Sequence, residues 1–202
     1  MAPHPDDETI GAYGLIRRLR SRRSRVSIVV VTDGAGSHAG SLRWPRDRLI
    51  AERRRETLAA MRSAGLDAGD VRFLGLPDGS LSSSPRNVRR AVTRVACATR
   101  PDLLVLPAAD DDHPDHRAIA SAMRPGRWRT LHYLVWPNRL TRSRAATHFL
   151  PLGPIGAAKR GAILHYRTQM GLIRDDPDGF AISPSELARF ARPIEFFRGS
   201  RR

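Results

Sequence analysis

Short apolar runs of strand length alternate along this chain with longer amphipathic segments, and this alternation constrains the fold more than any other feature. The runs that indicate buried strands are residues 25–32, 71–76, 102–106 and 130–136. The segments with helical periodicity are residues 7–23, 44–64, 85–99, 116–123, 156–170 and 184–190. Because strands that alternate with helices are joined by right-handed crossovers, the pattern predicts an α/β fold, a three-layer α/β/α sandwich around a Rossmann-like, mainly parallel sheet.

The length and the terminal residues set the expected organisation. The chain has 202 residues, close to the ~100 to 200 residues of an ordinary domain, so residues 1–202 are expected to form a single one. Its longest apolar runs fall short of the ~18 residues that a membrane-spanning helix needs. The opening residues Met-Ala-Pro-His-Pro-Asp-Asp-Glu are acidic where a secretory signal is basic and then apolar. We therefore expect a cytoplasmic protein that has no membrane span.

The net charge of +15 is strongly basic, and six arginines fall within the nine residues of Arg17–Arg25. Such a run can neutralise the phosphates of a nucleic acid or of an anionic surface. However, the sequence has no aromatic residues interleaved with these arginines, no RNA-binding signature and no zinc-finger spacing. The charge therefore favours a solvated basic face over a specific nucleic-acid partner, and a basic binding module stays open as the alternative.

Two segments concentrate groups that bind metal ions. The first is His4-Pro-Asp-Asp-Glu8, in which a histidine and an aspartate three residues apart precede a predicted helix. The second is Asp110–His116, which offers two imidazoles and four carboxylates directly after a predicted strand. Imidazole and carboxylate are standard zinc ligands, and so many carboxylates are costly to hold together without a cation. His4 or His116 alone is typical of a surface or capping histidine. The two segments together, both at strand ends of one sheet, predict a metal site.

These two segments resemble the signature of the LmbE-like, or PIG-L, family of zinc-dependent N-acetylglucosaminyl deacetylases. The family has a His-Pro-Asp-Asp-Glu motif and a later His-x-Asp-His motif, which match residues 4–8 and 113–116. Further matching elements are Asp33-Gly34, Arg53-x-x-Glu56, Leu74–Gly79, Lys159 and His165–Gln169. The similarity extends over most of residues 2–170 and implies the same sandwich fold.

By this resemblance, His4, Asp7 and His116 bind zinc and leave one position open, as a catalytic site requires. Asp6 is then the general base that takes a proton from the water on the ion. His113 in its protonated form stabilises the negative charge that develops on the carbonyl oxygen.

The resemblance also assigns supporting and substrate-binding residues. Asp115 accepts a hydrogen bond from His113 and fixes its orientation. Arg53 and Asp78 hold polar groups of the substrate. The alternative for Arg53 is that it is one of three consecutive exposed arginines. The alternative for Asp78 is that it forms a turn in Pro-Asp-Gly. Structural roles are expected for Glu8 at the helix start and for Gly11 in close helix packing.

The implied reaction is hydrolysis of an N-acetyl group on an N-acetylglucosamine-type sugar or conjugate. The alternative within enzymes is an amidase that acts on a thiol-sugar conjugate or on an acylated specialised metabolite. The ligand set does not exclude iron(II) in place of zinc. Because only Met1–Pro3 precede His4, we expect the first central strand to be missing and the first ligands to be held loosely. A chain extended upstream should then be more stable and bind zinc more tightly.

Overall fold

The computed structural model describes residues 1–123, 128–137 and 146–199. Among these residues the strands are β1 (Ile28–Thr32), β2 (Val71–Leu76), β3 (Leu103–Pro107), β4 (Arg129–Tyr133), β5 (His148–Pro151) and β6 (Ile194–Gly199). The α-helices are α1 (Asp7–Ser21), α2 (Arg46–Ser63), α3 (Pro85–Thr99), α4 (Pro114–Ala122), α5 (Ile155–Ile163) and α6 (Pro184–Phe190). The predicted alternation of strands and helices is therefore confirmed up to β4.

The strands form two groups that the N-terminal residues connect. β1 pairs with β2 and β3 pairs with β4, in both cases in parallel. Ala2 lies beside β1, since its N–H donates to the Val29 carbonyl at 2.8 Å and its carbonyl accepts from the Val31 N–H at 2.9 Å. The Met1 amino group donates to the Val105 carbonyl of β3 at 2.7 Å. A single parallel bridge, between Ala2 and Val30, thus lies where the first strand was expected to be missing.

Residues that alternate along β1 pack into two different cores. Ile28 and Val30 join a core that includes residues of α1, α2, α5 and α6. Val29 and Val31 join a second core, which α3 and α4 complete. Because successive side chains of a strand point to opposite faces of a sheet, helices cover both faces. The three-layer α/β/α sandwich is therefore confirmed.

Helix α1 is interrupted at Ala12, whose φ of −148° and ψ of 16° are not helical. The backbone N–H groups of Gly14 and Leu15 donate instead to the buried carboxylate of Glu195, at 2.8 and 3.0 Å. At Gly11 a Cβ atom would lie 2.3 Å from the Tyr133 ring. The predicted role of Gly11 in close packing is therefore confirmed.

The C-terminal third departs from the predicted pattern. β6 pairs antiparallel with β4 and with β5, and neither β5 nor β6 was predicted. The helix predicted over residues 156–170 is wrong beyond Ile163, where α5 ends. Beyond it, the backbone N–H of Thr168 donates to the Glu56 carboxylate at 2.9 Å, a tertiary contact in place of a helical one. Among the described residues, the structure contains no helix with the length and apolar character that a membrane span requires.

Candidate active site

The chemically loaded segments follow neighbouring strands and meet at one edge of the sheet. Residues 4–8 follow the Ala2 bridge, Asp33 follows β1, Asp78 follows β2, and the acidic segment Asp110–His116 follows β3. Parallel strands bring their carboxyl ends to the same edge, where sites in such sheets are built. The loops that carry the predicted ligands therefore converge at this edge.

The Asp7 carboxylate lies between His4 and His116 and faces one ring nitrogen of each. Asp7 Oδ2 lies 3.2 Å from His4 Nδ1 and 3.2 Å from His116 Nε2. Around a tetrahedral zinc ion with bonds of about 2.0 to 2.1 Å, neighbouring ligand atoms are separated by roughly 3.3 Å. The observed spacing matches that separation.

His116 is fully buried between two carboxylates. Its Nε2 faces Asp7, and its Nδ1 lies 3.2 Å from Asp111 Oδ2. Neither ring nitrogen makes a hydrogen bond of good geometry in the described structure. The Asp111 carboxylate is itself fixed by the backbone N–H groups of Val135 and Trp136, at 3.0 and 3.1 Å. This arrangement, an imidazole directed by a second carboxylate, is typical of metal-binding histidines.

The electrostatic balance of the site favours bound positive charge. Although burial favours neutral imidazole, hydrogen bonds with Asp115 and Asp7 raise the pKa of His4 well above its ordinary value. Burial also favours the neutral form of His116, but Asp7 and Asp111 raise its pKa to about 9. The two histidines in turn lower the pKa of Asp7 although burial opposes this. A cation bound here would replace the protons that the imidazoles otherwise attract.

A wider set of ligand groups surrounds His4. One ligand atom each from His4, His113 and His116 lie within 4.8 Å of one another, and the same holds for His4, Asp78 and Asp115. His4 Nε2 lies 3.1 Å from Asp78 Oδ1 and 3.3 Å from Asp115 Oδ2. The buried, poorly bonded nitrogens of His116 and this donor set fit a divalent cation with imidazole and carboxylate ligands.

Asp6 has an unusual backbone conformation beside this cluster. Its φ of 144° is positive, a region that residues other than glycine rarely adopt. Its side chain is buried, and its Oδ2 lies 3.2 Å from the Arg53 guanidinium. Burial raises the pKa of Asp6 to about 8, and the nearby positive charge of Arg53 opposes that shift. A carboxyl group with such a pKa can exchange a proton near neutral pH.

Arg53 is buried, with 2% of its surface exposed, so its interpretation as one of three exposed arginines is wrong. Its guanidinium donates to the Pro5 carbonyl at 2.6 Å and to the Gly34 carbonyl at 3.2 Å, in addition to Asp6. Asp78 accepts the Gly36 N–H at 2.9 Å. Although burial opposes it, the hydrogen bond with His4 lowers the pKa of Asp78 to about 2.

His113 and Asp115 interact differently from the prediction. The backbone N–H of Asp115 donates to His113 Nδ1 at 3.2 Å, so this nitrogen carries no proton. The Asp115 carboxylate instead accepts the N–H groups of Gly79 and Leu81, at 2.9 and 3.0 Å. Burial, followed by the charges of the neighbouring imidazoles, lowers the pKa of His113. The predicted hydrogen bond from His113 to the Asp115 carboxylate is therefore wrong, and because Nδ1 accepts, Nε2 is the ring nitrogen that can donate.

Two residues of this region were not singled out from the sequence. Asp111 stood among four carboxylates that a sequence pattern cannot rank, and only its complete burial beside His116 distinguishes it. Tyr166 is fully buried, and its hydroxyl donates to the Glu8 carboxylate. The sequence signal for Tyr166 was its place within the His165–Gln169 element.

Comparisons with known proteins agree with the geometry. The sequence profile of the PIG-L family, GlcNAc-PI de-N-acetylase, matches residues 1–125. A Bacillus subtilis protein named probable N-acetyl-alpha-D-glucosaminyl L-malate deacetylase 2 is 28% identical over 186 residues, 86% of this chain and 83% of that protein. The diacetylchitobiose deacetylase of Thermococcus kodakarensis is 32% identical over 127 residues, 57% of this chain and 43% of that protein.

Solved structures share the fold over nearly the whole chain. The N,N'-diacetylchitobiose deacetylase of Pyrococcus horikoshii superposes with a TM-score of 0.73 at 21% identity, covering 98% of this chain and 81% of that one. The conserved protein TT1542 of Thermus thermophilus superposes with a TM-score of 0.72 at 23% identity, covering 98% of this chain and 91% of that one.

Proposed function

This chain is a deacetylase of the PIG-L family, and we propose that it is a zinc-dependent hydrolase. It removes the acetyl group from an N-acetylglucosamine-type sugar or sugar conjugate. The products are acetate and a free amine. Residues 1–202 form one deacetylase domain in this proposal. The observation that carries it is the place of Asp7 Oδ2, which lies 3.2 Å from His4 Nδ1 and 3.2 Å from His116 Nε2, about the spacing of neighbouring ligands around a zinc ion.

His4, Asp7 and His116 would hold the ion, and iron(II) is accepted by the same donor set. When bound, zinc supplies a Lewis acid that polarises the acetamide carbonyl and makes water more acidic. Asp111 would orient His116 from behind, because its carboxylate faces Nδ1 while Nε2 faces Asp7.

Asp6 would be the general base. Its Oδ2 is occupied by the Arg53 guanidinium at 3.2 Å, so Oδ1 is the oxygen that accepts a proton from the attacking water. Once protonated, Asp6 would return that proton to the amine nitrogen as the C–N bond breaks. Arg53 contributes by holding both the carboxylate and the Pro5 carbonyl.

His113 would stabilise the developing negative charge as a neutral hydrogen-bond donor. Its Nδ1 accepts from the Asp115 backbone, which directs the Nε2–H away from that contact. The Asp115 carboxylate supports the cluster through His4 and the Gly79 and Leu81 backbone. Substrate contacts by Arg53 and Asp78 stay a prediction.

The names of the two relatives support an N-acetylglucosamine-type substrate. One is named for an N-acetyl-alpha-D-glucosaminyl malate, and the other is named for diacetylchitobiose. An amidase for a thiol-sugar conjugate or an acylated specialised metabolite uses the same machinery. The basic binding module is less well supported. Arg17, Arg18 and Arg20 of the basic run donate to backbone carbonyls of Ser63, Pro151 and Gly65, which gives three of these arginines a structural use.

The test combines metal content with turnover. Elemental analysis of the parent chain should give one zinc or iron per chain, and His116→Ala and Asp7→Ala should lose it. Asp6→Asn should keep the metal while acetyl release from N-acetylglucosamine or N,N'-diacetylchitobiose falls by ~10²- to 10⁴-fold. Asp112→Asn, an exposed carboxylate in the same acidic segment, is the matched control and should change neither quantity. Unchanged turnover in Asp6→Asn would refute the assigned base.

A further inference from the structure

A chain of buried contacts runs from Tyr166 through Glu8 to the backbone of Asp6. From it we propose that Tyr166 is a positioning residue, which sets the Asp6 carboxylate through Glu8. The inference rests on the proposed function, in which Asp6 is the base. In the described structure the Tyr166 hydroxyl forms its hydrogen bonds with Glu8 and Thr9 rather than with the proposed ligands.

The conformation of Asp6 needs external support. Its positive φ of 144° persists only where surrounding contacts over-determine the backbone. The Asp6 carbonyl begins α1, because it accepts the N–H groups of Thr9 and Ile10, both at 2.9 Å. The strained residue therefore joins the helix on one side and the first metal-binding loop on the other.

The Pro5–Asp6 peptide group is held at both ends. Its carbonyl oxygen accepts from Arg53 Nη2 at 2.6 Å. Its N–H donates to Glu8 Oε2 at 3.3 Å. Rotation of this peptide would swing the Asp6 side chain relative to Asp7, so the two contacts together define where the base points.

Tyr166 holds the other oxygen of Glu8. Its hydroxyl donates to Glu8 Oε1 and lies 2.9 Å from Thr9 Oγ1. Tyr166 and Glu8 are both buried, with 0% and 4% of their surfaces exposed, so water does not compete for these bonds. Because Oε1 is fixed, the carboxylate cannot turn Oε2 away from the Asp6 N–H.

Tyr166→Phe removes the hydroxyl and keeps the ring. A shift of a catalytic group by about 1 Å costs ~100-fold in rate, so we expect kcat to fall by roughly 10- to 100-fold. KM should stay within about twofold, because no substrate contact is lost. Metal content should be unchanged, since His4, Asp7 and His116 keep their contacts.

Tyr13→Phe is the matched control. Tyr13 is also fully buried in the same core, but its hydroxyl faces Ser63, 3.2 Å from the carbonyl and 3.1 Å from Oγ. This variant should keep kcat within about twofold of the parent. Equal effects of the two changes on kcat would mean that Tyr166 only packs, and would overturn the proposal.

Amide hydrogen exchange gives a readout that does not depend on activity. Tyr166→Phe should speed exchange at residues 6–10 in the full chain, and Tyr13→Phe should not. If the parent released no acetate from any N-acetylated sugar, the proposed function would fail, while exchange would still decide whether Tyr166 holds Asp6. Faster exchange in both variants, or in neither, would overturn the positioning role.

A double variant tests the route through Glu8. If Tyr166 acts through this carboxylate, Glu8→Gln with Tyr166→Phe should lower kcat no further than Glu8→Gln alone. Losses that multiply would show that the two residues act separately, against the proposal.

Discussion

Lys159 and Glu195 form a buried ion pair that connects α5 and β6 to the interruption in α1. The variant Lys159→Met should measure how much this pair contributes to the free energy of unfolding. The ammonium group lies 3.0 Å from Glu195 Oε1 and 2.7 Å from the Ile10 carbonyl. Glu195 also accepts the N–H groups of Gly14 and Leu15. Removing the lysine leaves a buried carboxylate without a counter-charge, which costs about 3 to 5 kcal/mol of unfolding free energy.

That loss translates into a large thermal shift. For chains of this size each kcal/mol corresponds to about 2 to 4 °C, so Tm should fall by about 6 to 20 °C. Chemical unfolding followed by circular dichroism would give the free energy directly. Glu195→Gln and the double variant complete a thermodynamic cycle.

The cycle separates the ion pair from general packing. The double variant should be more stable than the sum of the two single losses predicts, because neither charge is then left unpaired. A loss below about 1 kcal/mol in Lys159→Met, or strictly additive losses, would refute the argument that the pair is coupled and desolvated.

The same lysine predicts a pH dependence. Burial lowers the pKa of Lys159, and Glu195 only partly opposes this. Between that lowered pKa and the ordinary value near ~10.4, the unfolded chain binds more protons than the folded one. Stability from this residue should therefore rise with pH through that window. Unfolding of the parent and Lys159→Met between neutral pH and about pH 10 checks the sign, and a parent that gains nothing relative to the variant would contradict it.

Three further changes test the site and its packing. Asp111→Asn should weaken zinc binding by ~10- to 100-fold in a competition titration, because the carboxylate that faces His116, a proposed ligand, is lost; unchanged affinity would argue against that role. Gly11→Ala should lower stability by about 1 to 3 kcal/mol in chemical unfolding, since its Cβ would meet the Tyr133 ring. Arg53→Lys should lower kcat by at least ~10-fold, because one ammonium cannot reach Asp6 and two carbonyls as the guanidinium does; full activity would show that Asp6 is held by other contacts.

Local sequence pattern was sufficient to predict the elements whose apolar residues recur at a regular period. The helix at Pro85–Thr99 and the strand at Val71–Leu76 have the predicted bounds. The spacing of their apolar residues indicates which face is buried. The Pro and Gly residues that flank them mark where each element begins or ends. Residues 156–170 carry a helical pattern as well, but Tyr166 and Thr168 bond to Glu8 and Glu56, and these contacts replace the last helical turns. Such competition between local and long-range bonds is invisible in periodicity.

The antiparallel strands show the same limit. Phe197 of β6 pairs with Tyr133 of β4 and with His148 of β5. Strand pairing depends on which segments meet after the chain has folded, and short strands without strong alternation give little local signal. The antiparallel edge was therefore beyond the reach of sequence pattern.

Three properties could be predicted from the amino-acid sequence: the layer order of the fold, the family, and the two motifs that bring imidazoles and carboxylates to one edge of the sheet. These properties depend on residue type and short-range spacing, which a sequence states directly. The folded arrangement was needed to show that Arg53 is buried against Asp6, that Asp111 faces His116, and that the Asp115 backbone donates to His113. Those outcomes depend on the burial and orientation of groups brought together by folding. Desolvation and hydrogen-bond direction, which set their chemistry, exist only in that packed arrangement.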